Sequence, residues 1–163
     1  MDYRENTRKM LPEELASCIE ESTIHMTDEY TCSPEVLRVG EAVVGTLGNF
    51  SASIGKAKSK KTFNVSAIVA SALSNDEVLR YNADFPSHKR NILYIDTEQG
   101  RHHCQKVLKR IVRLANLPID MEPENLKILA LRKYTPEERL DIVEYALNTI
   151  PNIGLVIIDG IRD

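Results

Sequence analysis

The sequence predicts an α/β fold of three layers, with a mainly parallel sheet between helices. Three observations carry this. The runs "NILYID", "LKILAL" and "IGLVIIDG" are short, continuous and apolar, as strands buried on both faces are. Longer segments between them repeat apolar residues at helical spacing. The two kinds alternate along the chain, and strand–helix–strand alternation builds parallel sheets.

Residues 1–33 are polar and rich in helix formers, and read as a helical appendage or linker ahead of an α/β domain at 34–163. Pro12 followed by "EELASCIEE" predicts one short helix, with Leu11, Leu15 and Ile19 on one face. From Pro34, β-branched residues punctuated by Gly40, Gly45 and Gly48 predict short strands and tight turns. "NFSASI" at 49–54 is expected to be the strand that enters the next loop.

After Thr62 the texture turns helical. Phe63, Val65, Ala67, Ile68, Val69, Ala72 and Leu73 are too dense for a surface helix and imply one packed on more than one side. "SNDEVLRYNADFPSHKRN" reads as a long loop before the strand "NILYID". In "RHHCQKVLKRIVRLANL", Val107, Leu108, Ile111, Leu114 and Ala115 recur at helical spacing, with Lys106, Lys109, Arg110 and Arg113 on the other side. After the strand "LKILAL", Thr135 is placed to cap a helix, Pro136 fits its first position and Glu138 completes a capping box. Leu140, Val143, Ala146, Leu147 and Ile150 form its expected buried stripe, and Pro151 stops it.

The net charge of −3 leaves no global basic field to draw the chain onto nucleic acid, so any such contact must come from a local patch. No apolar run approaches the ~20 residues that span a bilayer. The three cysteines, Cys18, Cys32 and Cys104, have neither paired nor metal-type spacing, which points to a reduced, cytoplasmic setting without a membrane. "RHHC" reads as a solvated helix start, since adjacent histidines diverge and no second cluster supplies metal ligands. Tyr81, Phe85 and Tyr94 are open to two readings, core anchors or platforms for a nucleotide base.

The stretch Gly55-Lys56-Ala57-Lys58-Ser59-Lys60-Lys61-Thr62 is one residue from G-x-x-x-x-G-K-[ST], with Lys60 at the second glycine. Such a loop wraps phosphates in backbone N–H groups and opens into a helix N-terminus. Its lysine, here Lys61, reaches the terminal phosphates, and its hydroxyl, here Thr62, holds Mg²⁺. The other reading is a solvated basic turn. Asp96 and Glu98 end one predicted strand and Asp159 a later one. Ligands of open parallel sheets bind at that edge, and an acid there can hold Mg²⁺ beside the hydroxyl.

The series "GKAKSKKT … ILYIDTEQG … LVIIDG" resembles the RecA-like branch of P-loop ATPases. It is more closely similar to ATP-binding proteins of bacterial mobile elements and to hexameric helicases of the plasmid RepA type. The resemblance spans about residues 36–163 and implies a RecA-like core that binds ATP and Mg²⁺. It makes Gly55, Lys56, Ala57, Lys58, Ser59, Lys60, Lys61 and Thr62 the phosphate cradle, Thr62 and Asp159 the Mg²⁺ site, Glu98 the base that activates water, and Asp96 a structural acid. It further implies ATP hydrolysis of the helicase or translocase type, a role in replication, mobilisation or excision of a mobile DNA element, DNA contact through the full-length protein, and a homo-oligomeric ring or filament. Lys60 departs from the family's glycine. Family members also continue past the Asp159 strand, whereas this chain stops at "DGIRD", which reads as truncation. The alternative is an interaction scaffold that has lost nucleotide binding through Lys60. A small-molecule kinase is disfavoured, because a lid and an acceptor site would have to fit in a short chain.

Overall fold

The computed structural model describes residues 9–54 and 61–160. The chain forms two units, Met1–Cys32 and Ser33–Asp163. In the first, helix α1 spans Pro12–Ser22. The Leu11 N–H donates to the Glu14 carboxylate at 2.7 Å, so the first turn has a cap although Leu11 has no side-chain acceptor. Leu11, Leu15 and Ile19 are all exposed.

The second unit holds two sheets. In the first, β1 (Glu35–Val39) pairs antiparallel with β2 (Ala42–Thr46). Gly40 supplies the positive φ that this tight turn requires. The other edge of β1 takes β4 (Tyr81–Ala83), which pairs in turn with β3 (Glu77–Val78), giving the order β2-β1-β4-β3. The second sheet is parallel and of three strands. Its centre is β5 (Asn91–Asp96), flanked by β6 (Leu126–Ala130) and β7 (Ile153–Asp159).

Helices cover both faces of the parallel sheet. Helix α2 (Lys61–Ser74) and helix α3 (Arg101–Leu114) lie on one, where Val69, Ala70 and Ile111 join Ile92 and Tyr94 in a single core. Helix α4 (Pro136–Thr149) lies on the other, where Ala146, Ile142 and Val143 meet Leu93 and Ile95. The three-layer α/β class is therefore observed. Helix α2 also packs against β3 and β4 of the antiparallel sheet, which explains its dense apolar sequence. Its buried polar residues serve this placement: Ser71 Oγ donates to the carbonyls of Asp76 (2.6 Å) and Tyr81 (3.0 Å).

Three expectations are corrected. Residues 49–54 form no strand: the Ser51 hydroxyl donates to the Val44 carbonyl and the Asn49 N–H to that of Thr46, folding the segment back onto the hairpin end, and Phe50 and Ile54 are exposed. The expected loop after Ser74 contains β3, β4 and a 3₁₀ turn at Ser87–Lys89. In α4 the capping box forms as expected, with Thr135 Oγ1 accepting from the Glu138 N–H. However, Leu140 and Leu147 face outward, contrary to the expected stripe, and Ile142 packs in the core instead.

Candidate functional site

The end of β5 and the end of β7 meet. Asp96 and Asp159 are register partners in adjacent parallel strands, so their side chains leave the sheet on the same face, the one α2 and α3 cover. The buried Tyr94 hydroxyl donates to Asp159 Oδ2 at 2.9 Å, fixing one oxygen of that carboxylate. Burial, followed by the negative charge of Asp159 and this hydrogen bond, pushes the Tyr94 phenol well above its ordinary value, so it remains a donor.

Past β5 the chain makes a tight turn built on Asp96. Its Oδ1 accepts from the N–H groups of Glu98 (2.9 Å) and Gln99 (2.7 Å), a side-chain-closed turn. Its second oxygen, Oδ2, is buried and has no hydrogen-bond partner among the described residues. Beneath it the buried Cys104 thiol is pushed up to about 11, first by burial and then by the charge of Asp96.

The turn is tied to β7. The Thr97 N–H donates to the Asp159 carbonyl at 3.1 Å, and the Thr97 hydroxyl donates to the Gly160 carbonyl. Gly160 has a φ of +95°, and a methyl group there would run into the Glu98 side chain and the Thr97 hydroxyl. The Glu98 carboxylate thus lies against the residue that follows Asp159. Two carboxylates from different strands are gathered at the C-terminal rim of the parallel sheet, the edge where open α/β sheets bind ligands.

Of the other residues singled out in the sequence, Lys61 and Thr62 form the first turn of α2, with Lys61 exposed and Thr62 half-buried. That turn carries no acid, and the helix N-terminus adds its own partial positive charge. No hydrogen bond among the described residues joins Thr62 to Asp159. Gly55, Lys56, Ala57, Lys58, Ser59 and Lys60 lie outside the described residues. Phe85 and Tyr94 are core, with Tyr81 packed beside them. His102 and His103 are exposed at the start of α3.

Two residues of the site carry no motif: Tyr94, which holds Asp159, and Gly160, the seat of Glu98. Tyr94 had a signal: it lies two residues before Asp96, hence on the same strand face. Gly160 had only its place after an acid.

The groups gathered at the rim are carboxylates. This all-oxygen set suits a hard cation such as Mg²⁺. The Asp96 oxygen without a donor adds acceptor capacity beneath it. Among the described residues no group of three or more His, Cys, Asp and Glu side chains is arranged to hold a metal alone. Magnesium usually takes one or two carboxylates and completes its shell with phosphate and water. No helix among them is long and apolar enough to cross a membrane.

No curated protein and no solved structure matches the chain. A protein-family model described as an AAA domain, of the P-loop NTPase-like kind that suggests nucleotide binding, matches residues 28–163. That span takes in both sheets, the rim acids and the basic stretch before α2, and the chain belongs to the AAA domain family.

Proposed function

We propose that this chain is the ATP-binding core of a RecA-like ATPase. The observation that carries the reading is the meeting of Asp159 and Glu98 at one rim of the parallel sheet. The backbone amides from Gly55 to Thr62, with the Lys61 amine, hold the β and γ phosphates. Thr62 and Asp159 hold Mg²⁺, which when bound neutralises phosphate charge. Tyr94 keeps one Asp159 oxygen fixed for that task. Glu98, seated against Gly160, orients the attacking water and takes its proton. Asp96 shapes the turn that presents Glu98.

The finer reading rests on resemblance: work on a mobile DNA element, by a ring or filament in the cytoplasm, with DNA contacted through the full-length protein. A second reading draws on Lys60, which replaces a glycine of the loop. Under it the chain keeps the fold as a scaffold and binds no nucleotide.

Titration of a fluorescent ATP analogue with Mg²⁺ separates the two. Saturable binding that Lys61→Ala abolishes supports the ATPase core, and absence of binding by the unaltered chain sinks it. For hydrolysis, Glu98→Gln is expected to lower turnover about 100-fold or more while leaving analogue binding intact. Undiminished turnover would remove Glu98 from its role.

A further inference from the structure

We infer that the outer face of α3 is a binding surface for the phosphate backbone of nucleic acid. Helix α3 contains Arg101, Lys106, Lys109, Arg110 and Arg113 and no acid, in a chain whose net charge is −3. Lys106, Lys109, Arg110 and Arg113 fall within about 100° of helical arc. Cys104, Val107 and Ile111 occupy the opposite side and are buried. The four cations are thus fixed outward by the packing of their own helix.

Among the described residues none of the four takes part in an ion pair, and α2, which packs beside α3, contains no acid. The four cations and half-buried Leu114 line a shallow depression of about 400 Å³.

The composition of the face selects the partner. Anionic membranes are gripped by helices that add large apolar side chains to their cations. Protein partners anchor on buried aromatic or aliphatic residues. No large apolar side chain of α3 is exposed. What remains is a purely cationic stripe, the surface that a phosphate backbone needs. From Lys106 to Arg113 it runs about 10 Å along the helix, which matches about three phosphates of one duplex strand at ~3.4 Å of axial rise each. Contacts to phosphates fix position without reading bases, so binding through this stripe is sequence-independent.

This deepens the DNA-directed part of the proposed function, while standing apart from nucleotide binding. The test is fluorescence anisotropy of the 163-residue chain with labelled duplex DNA, single-stranded DNA and single-stranded RNA of mixed sequence. With about three phosphates neutralised, log affinity should fall against log salt with a slope near −2.7 on duplex DNA, about 40-fold between 50 and 200 mM. Lys109→Gln with Arg113→Gln should flatten the slope by about 1.8 and weaken binding at least tenfold, while Lys109→Arg with Arg113→Lys restores both. Comparing the three probes identifies which nucleic acid is preferred.

A slope unchanged by the neutralising pair overturns the inference. So does absence of binding at about 50 mM salt, or tighter capture by polyglutamate or by phosphatidylserine vesicles than by any nucleic acid. Titrating the ATP analogue in parallel separates the claims, because the α3 variants should bind it normally and Lys61→Ala should keep its affinity for DNA.

Discussion

Strands β5 and β7 are spelled almost alike, "NILYID" and "GLVIID", run side by side and end in acids that are register partners. The core treats them differently. β5 has a neighbour on each edge and helices on each face, and its residues from Ile92 to Asp96 are all buried. β7 has a partner on one edge only among the described residues, and Val156 and Ile158 are 37% and 49% exposed on the face that α4 covers elsewhere. An apolar run ending in an acid therefore reports that a strand exists and where its acid lies. It does not report how deeply the strand is buried, because that depends on what other parts of the chain lay over it.

Substitutions can break this contrast. The largest effect is expected in β5: Leu93→Ala, at a residue with no exposure, should cost about 4 kcal/mol in chemical denaturation by leaving a cavity between the sheet and α4. A loss below about 1 kcal/mol would mean that β5 is not the centre of the core. Next comes the point where β7 itself is confined. A methyl on Gly154 would run into the Lys89 carbonyl and approach the Phe85 ring, so Gly154→Ala should cost about 3 kcal/mol despite the open face further along.

A smaller effect sharpens the comparison beneath the paired acids. The Cys104 thiol ionises near 11 in the folded chain against 9.0 ordinarily, so the fold favours its neutral form. That contribution is complete below pH 9.0 and is lost as pH rises toward about 11. The stability gap between the unaltered chain and Cys104→Ala should narrow over that window, by less than about 3 kcal/mol. A constant gap would show that the thiol meets no low-dielectric, acidic surroundings. The smallest change is expected at the open face of β7, where Val156→Thr should shift stability by less than about 0.5 kcal/mol.

How much was legible follows the same division. The alternating strands and helices, the capping box of α4 and the carboxylates at one sheet edge were readable, because each depends on local chemistry or on strand period. The hairpin of β3 and β4 was not. Its turn places Leu79 at a φ of +58°, a position for which glycine or asparagine is the usual signal, and leucine carries none. The stripe of α4 misled because Leu140 and Leu147 are apolar yet outward, and hydrophobicity alone does not choose which side a half-covered helix turns inward. Within the candidate site, the acids could be read from strand ends, whereas the Tyr94 hydrogen bond and the Gly160 contact depend on how two distant strands are registered.

Helix α2 is wedged between two sheets on small residues, Ala67, Ala70, Ser71 and Ala72 among them, and carries Lys61 on its leading turn. Side chains this short let the helix sit close to β3 and β4, and β4 in turn pairs with β1, so packing and strand pairing run without a break from the helix to the hairpin of β1 and β2.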